Sequence, residues 1–422
     1  MRLPLNLKTT NTELQVSPPI CIPNTQSLIQ NPKSQINTTS NTRVILVRHG
    51  RSTYNEQGRY QGSSDESILT EKGRQSAYQT GLALKEFPID AIYTSPLKRT
   101  QQTANEILAA FSTNHHHLPP LHINDKLKEI SMHHWEGLPF NYVRENFPEE
   151  YRRWKEYPHE FQIVSENGRS LNIASHFPVL NLYEQAKQFW QELLPRHRGQ
   201  TVLIVSHGGT NRALISTAIG LTPDRYHTLQ QSNCGISILN FPTQESPVGQ
   251  LELLNFTNHL GEILPKLKEG KQGLRLLFIS SSVTDREPLQ KLAEFLQHES
   301  LDFSLVGDLY NSCETAKFIL HFHPQTLQLQ VLNEDLSHQI MRQIILEQDY
   351  FFKSSERDSS NLVTGLIVAD ELTIKTILSQ SIGLKSDMFE HFQLKQGTVG
   401  VIHYPTPGCL PILQAINAGI GD

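Results

Sequence analysis

Arg48 and His49 stand side by side at the end of a short apolar run, RVILV (43–47). A strand buried on both faces and followed at once by polar residues puts those residues at its C-terminal end, where open α/β sheets bind ligands. A second run, TVLIVS (201–206), delivers His207 into a loop of the same kind, ahead of Gly208 and Gly209. A third, AIYTS (91–95), leads to Arg99 at the start of a helical stretch. Three strands can therefore converge two arginines and two histidines on one small volume. Bringing that much positive charge together is unfavourable unless an anion neutralises it. Arginine forks match phosphate oxygens bidentately. Read unaided, these residues describe a phosphate-binding pocket that contains a potential nucleophile.

The elements that must position them alternate in type. LTEKGRQSAYQTGLALKEF (69–87) has helical spacing, with Thr70 as its cap candidate. LKRTQQTANEILAAF (97–111), NLYEQAKQFWQELL (181–194) and TNRALISTAIGL (210–221) read as helices, and CGISILNF (234–241) as a strand. Strands alternating with helices imply βαβ units, a mainly parallel sheet and helices on both of its faces. Residues 142–165 are rich in aromatic and charged side chains and read as partly helical.

The chain's 422 residues suggest two or three domains. Lys+Arg 37 against Asp+Glu 42 leaves a net charge of −5, which gives no sequence-wide attraction for nucleic acid or an anionic membrane. No apolar stretch approaches the length of a membrane-spanning helix. The cysteines at 21, 234, 313 and 409 lack CxxC spacing, which argues against a zinc site or a disulfide framework and suits a reducing compartment. Residues 1–42 hold eleven Ser/Thr, six Asn and a single acid, Glu13, and read as a flexible extension. The expected location is cytoplasmic, or an organelle stroma if that extension is a transit peptide. Residues 259–273, rich in Lys, Gly and Pro, read as a linker between 43–258 and 274–422.

Beyond the linker the apolar pattern restarts. RVILVRHG (43–50) aligns with RLLFISSS (275–282), LKRTQQTANEIL (97–108) with LYNSCETAKFIL (309–320), and LIVSHGGTNRALISTAIGL (203–221) with LIVADELTIKTILSQSIGL (366–384). The last offset carries on to pair NFP (240–242) with HYP (403–405). The apolar skeleton is kept while Arg48, His49, Arg99 and His207 give way to Ser280, Ser281, Asn311 and Asp370. A core needs apolar residues of suitable volume, whereas chemistry needs particular polar groups. The second half therefore reads as a copy of the fold without its site.

LVRHGRSTYN (46–55), RYQG (59–62), LTEKGRQSA (69–77), SPLKRTQQTA (95–104), LKEISMHHWEGL (127–138) and VSHGG (205–209), in that order, resemble the histidine phosphatase superfamily in its phosphoglycerate-mutase-like branch. The resemblance implies a three-layer α/β/α fold, repeated twice. It implies that His49 is a nucleophile forming a phosphohistidine, and that Arg48, Arg99 and His207 hold the transferring phosphoryl group. It makes Glu129 the candidate general acid, a role that needs a partly buried carboxyl. Asn55 would contact the phosphate or nearby substrate, and the Gln61-Gly62 and Gly208-Gly209 loops would let backbone approach it closely. Neither metal nor cofactor is implied, because the arginines supply the electrostatics. The partner is a small phosphomonoester. The three histidines His115, His116 and His117 read as a solvated loop, His133 and His134 as either substrate-facing or structural, and the run Tyr151–Trp154 as an amphipathic helix.

The leading function is a phosphomonoester phosphatase acting on a small metabolite such as a sugar-phosphate acid. WEGL (135–138) resembles the phosphatase branch more than the mutase branch, which shows a Tyr-Gly pair there. A cofactor-dependent phosphoglycerate mutase is the alternative, and a non-catalytic binding or scaffold protein on the same fold a further one. Tandem copies with an aromatic-rich insert also resemble proteins of photosynthetic cells, which brings carboxyarabinitol-type phosphates into the substrate range.

Overall fold

The structure is a computed structural model. It describes residues 41–112, 118–162, 177–242, 248–281, 286–332, 336, 362–385, 389–405 and 409–419. His115, His116 and His117, residues 1–40 and the stretch 163–176 lie outside the described residues.

Twelve strands form one continuous sheet in the order β3-β2-β4-β1-β5-β6-β12-β11-β7-β10-β8-β9. The first half contributes β1 (Thr42–Arg48), β2 (Ala91–Thr94), β3 (Leu121–Ile123), β4 (Thr201–Ser206), β5 (Ile236–Phe241) and β6 (Gln250–Phe256). The second contributes β7 (Gly273–Ser280), β8 (Phe303–Gly307), β9 (Leu327–Val331), β10 (Leu362–Ala369), β11 (Val399–Tyr404) and β12 (Ile412–Ala418). Both wings are parallel: β1 pairs with β4, β4 with β2 and β2 with β3, as β7 pairs with β10, β10 with β8 and β8 with β9. The central ladders, from β1 through β5, β6, β12 and β11 to β7, are antiparallel. Read outward from the β6–β12 seam, the two halves have the same strand order.

The apolar runs form strands buried on both faces. Val44 and Leu46 point to one side of β1, Ile45 and Val47 to the other, and all four are fully buried. Helices cover both sides. In the first half these are α2 (Glu71–Leu84) and α3 (Lys98–Phe111) on one face, α6 (Pro178–Arg196) and α7 (Gly208–Ile219) on the other. In the second half α8 (Arg286–Leu296) and α9 (Tyr310–Leu320) lie on one face and α10 (Glu371–Ile382) on the other. One apolar cluster runs under α6, α7 and α10 and so crosses the seam. Thr70 caps α2, its side chain accepting the Gly73 N–H at 3.1 Å. Short helices α1 (Thr53–Gln57), α4 (Phe140–Asn146) and α5 (Pro148–Glu156) flank the site described next.

The segment between β6 and β7 is held down rather than loose. Leu264 and Pro265 are buried in it, and Gln230 donates to the Lys266 carbonyl at 3.0 Å. Among the described residues no helix is long and apolar enough to cross a membrane.

Candidate active site

β1 ends at Arg48, and the next residue, His49, turns inward, with its backbone N–H donating to the Ser206 carbonyl of β4 at 2.9 Å. His49 is 1% exposed and His207 fully buried; their rings meet edge to face with centroids 5.3 Å apart. The Gly50 carbonyl lies 2.8 Å from His49 Nδ1. Assigning the proton to Nδ1 satisfies that carbonyl and leaves the lone pair on Nε2. Burial, then the neighbouring Arg48 and Arg99, hold His49 well below the usual imidazole range. It is therefore a neutral imidazole near pH 7. His207 is lowered in the same way, by burial first and then by Arg99, His49 and Arg48.

The two arginines enter from opposite sides. Arg48 donates through one terminal nitrogen to the Gln231 carbonyl at 2.8 Å; burial is the main cause that brings its pKa down to about 10. Arg99, fully buried in the first turn of α3, donates to the Gly62 and Ser64 carbonyls, each at 2.8 Å. His207 Nε2 lies 2.8 Å from Ser95 Oγ. After these bonds, Arg48 Nε, Arg99 Nε and His207 Nδ1 remain buried with no hydrogen-bond partner among the described residues. Buried donors are rarely left so. Two arginine N–H groups and one imidazole nitrogen beside a neutral histidine can meet the oxygens of an anion.

Glu129 sits at the N-terminus of α7. Its carboxylate accepts the backbone N–H groups of Gly209 at 3.0 Å, Thr210 at 3.1 Å and Ile130 at 2.9 Å, and the Thr210 hydroxyl at 3.3 Å. These bonds fix the carboxylate at the N-terminal end of the helix, beside the Gly208-Gly209 loop. Only glycine fits at 209, because a Cβ would run into Glu129 and the Tyr226 hydroxyl. Gly62 has φ +50°, and a Cβ there would overlap the Glu136 carboxylate. Gly208 packs its backbone close to Arg48.

Asn55 and Gln61 share Ser52 on the rim: Gln61 Oε1 accepts its hydroxyl at 2.8 Å and Asn55 Oδ1 at 3.1 Å. Asn233 Nδ2 bridges Asn55 Oδ1, at 3.0 Å, and the His49 carbonyl, at 2.9 Å. The chain segments expected to converge thus do so. Of the two flanking histidines, His133 bonds Ser131 at 2.6 Å and His134 pairs with Glu150 at 3.1 Å. Trp154 of α5 is buried against Trp135, Phe161 and Tyr226, while Arg152 lies outward in ion pairs with Glu149 and Glu156. That helix is amphipathic, as its sequence suggests.

Sequence reasoning missed Ser95, Asn233, Arg212 and Lys268. Ser95 lay within a quoted motif, but nothing local marked it as the partner of His207. Arg212, four residues past Gly208, donates to the Leu229 carbonyl at 2.8 Å with its guanidinium 5.7 Å from the Tyr226 ring centroid, and helical periodicity alone would have turned it towards the site. Lys268 carried no signal at all.

The chain was compared with known proteins. It is 37% identical over 50% of its length to a probable 2-carboxy-D-arabinitol-1-phosphatase of Arabidopsis thaliana, and 38% identical over 48% to 2-carboxy-D-arabinitol-1-phosphatase of Triticum aestivum. The match spans 40% and 37% of those two proteins, about two fifths of their length. It is 34% identical over 52% of its length to phosphoserine phosphatase 1 of Hydrogenobacter thermophilus, and there the match covers 95% of the relative. The family model for the histidine phosphatase superfamily (branch 1) matches residues 44–255, half of the chain and the whole of the pocket from Arg48 to Asn233. The chain belongs to the histidine phosphatase superfamily, branch 1.

Proposed function

We propose that the protein is a phosphomonoester phosphatase that works through a phosphohistidine on His49. The observation that carries this reading is the set of unspent buried donors, Arg48 Nε, Arg99 Nε and His207 Nδ1, around a histidine held neutral. Bound phosphoryl oxygens would take those donors. His49 Nε2 attacks phosphorus as the ester P–O bond breaks, and the Glu129 carboxyl gives its proton to the departing alkoxide. In the second step Glu129 takes a proton from water, the water oxygen attacks phosphorus, and the P–N bond breaks to release phosphate and restore His49. Charge growing on the transferring group is met by the arginines. Asn55, Gln61 and the glycine loops border the same space.

The substrate class we favour is a small phosphorylated acid. The relatives named above act, by their names, on a carboxyarabinitol phosphate and on phosphoserine, and both are acids. We further propose that residues 274–422 are a second copy of the fold that lacks the site, joined to 43–258 through 259–273. The matching strand order supports this reading.

Phosphate release from 3-phosphoglycerate, phosphoserine and a carboxyarabinitol phosphate, without added metal, tests the chemistry. His49→Ala should lower turnover by ~10⁴-fold or more. Acid-labile, base-stable labelling of wild type by a ³²P-ester, absent in the variant, should accompany it. Equal turnover in the two proteins rejects the mechanism, and phosphoryl transfer between acids without release of phosphate points to a mutase.

A further inference from the structure

Lys268 lies in the segment that joins the halves, beyond the family-matched residues 44–255. Its ammonium nevertheless reaches the pocket, where it donates to the Gln231 carbonyl, the same oxygen that accepts from Arg48. The residue as a whole is exposed, with its ammonium set against the Gln231 carbonyl. Several contacts hold the segment in place. Gln230 donates to the Lys266 carbonyl at 3.0 Å, Lys155 of α5 pairs with Glu269 at 2.9 Å, and Arg275 of β7 donates to the Pro265 carbonyl at 3.3 Å. These contacts hold the segment against the 230–231 loop and α5.

The charges around Lys268 are unbalanced. Burial, and then Arg48 and Arg212, act against its positive charge. The nearest acids are engaged elsewhere, Glu269 with Lys155 and Glu262 with Lys266 at 2.8 Å. Arg48 faces the phosphoryl position beside His49. A cation that shares the Gln231 carbonyl with Arg48 has the place and the sign to meet a second anionic group on the same substrate.

We propose that Lys268 is a specificity-determining residue that binds the carboxylate of a phosphorylated acid while Arg48, Arg99 and His207 hold its phosphate. The proposal rests on the phosphatase reading of the pocket and adds the recognition of a second negative charge by a residue outside the family-matched region. Phosphorylated acids are then preferred over phosphate esters of neutral alcohols of equal size.

The test uses the full chain and a matched pair, 3-phosphoglycerate and glycerol 3-phosphate, which differ by a carboxylate in place of a hydroxymethyl group. Calorimetric binding is measured for both, with inorganic phosphate as a probe of the phosphate site alone. Wild type should bind the acid about tenfold more tightly, as expected for one charge-assisted contact. Lys268→Met, which keeps the apolar stem, should bring the ratio close to unity, and Lys268→Arg should restore most of it. A ratio unchanged by Lys268→Met, or no preference in wild type, overturns the proposal. Because binding is read separately from turnover, a preserved ratio without phosphate release would sink the phosphatase reading and leave the role of Lys268 standing. Failure of inorganic phosphate and both esters to bind would sink both.

Discussion

At the start of α7, His207 makes no capping bond of its own; it turns to Ser95, and Glu129 arrives from another loop to satisfy the first N–H groups of the helix. At the start of α10 the corresponding residue, 163 positions later, is Asp370. It caps its own helix, accepting the Thr373 N–H at 3.1 Å and the Thr373 hydroxyl at 2.6 Å. Both helices end at a left-handed glycine, Gly220 with φ 83° and Gly383 with φ 84°. The strand ends differ in the same manner. His49 N–H donates to the Ser206 carbonyl at 2.9 Å and Ser281 N–H to the Ala369 carbonyl at 2.7 Å, yet the Ser281 side chain does no more than accept from Ser312 at 3.0 Å. At His207 the helix N-terminus is satisfied from a distance, by Glu129; at Asp370 it is satisfied by the capping residue itself.

The contacts between the halves come in matched pairs. Ile416 pairs with Leu254 across the seam, Asn255 donates to the Gln414 carbonyl at 2.8 Å, and Asn417 donates to the Glu252 carbonyl at 2.6 Å. Leu254 and Ile416, Asn255 and Asn417, and Glu252 and Gln414 all lie 162 positions apart. Leu229 likewise bridges Leu413 as Phe392 bridges Leu251. One side of this arrangement holds the 229–231 loop, whose Gln231 carbonyl positions both Arg48 and Lys268. The second half thus reaches that loop through Leu413, whose carbonyl accepts the Gln230 N–H at 2.9 Å.

Matched substitutions can break the comparison. Arg99→Ala should cost ~10³-fold in kcat/KM, about 4 kcal/mol, by removing a buried cation from the phosphoryl site. Asn311→Ala, at the matched and exposed position of α9, should leave kcat/KM within about twofold. Comparable losses in both would mean that the second half carries chemistry after all.

Acid should separate the halves next. The strongly lowered buried histidines His49, His207, His227 and His259, the last at about 3, all lie in the first half or directly after β6. Each is neutral when folded and takes up a proton near pH 6.5 when unfolded. Stability is therefore full above about pH 6.5 and falls as pH drops through the window down to the folded pKa. His49 and His207 alone should remove about 2 kcal/mol between pH 6.5 and 5.5, and more at lower pH. Urea unfolding in phosphate-free buffer measures this, and a His49→Gln/His207→Gln double variant that keeps the full slope would refute the assignment.

The smallest effect concerns the seam. Asn255 and Asn417 have φ of 54° and 56°, a conformation asparagine tolerates better than most residues. Asn255→Ala and Asn417→Ala should each destabilise by about 2 kcal/mol, combining a lost buried hydrogen bond with left-handed strain. Thermal melting should show equal shifts within error. A shift confined to one of them would show that the seam is not energetically symmetric.

Much of this was written along the chain. RVILV, AIYTS and TVLIVS are legible as doubly buried strands because each is a short apolar run stopped by polar residues, and Arg48, His49, Arg99 and His207 follow from where those runs stop. The capping of α2 by Thr70 is equally local. Other features depend on residues far apart. Nothing around Glu129 says that its carboxylate will be bound by N–H groups some eighty positions later, and nothing in a Lys- and Gly-rich stretch says that Lys268 will turn back onto Gln231. The antiparallel seam between β6 and β12 was hidden for the same reason. Alternation and helical period fix which face of an element is buried. Which edges pair, and where a long polar side chain comes to rest, is decided only when distant segments close on one another.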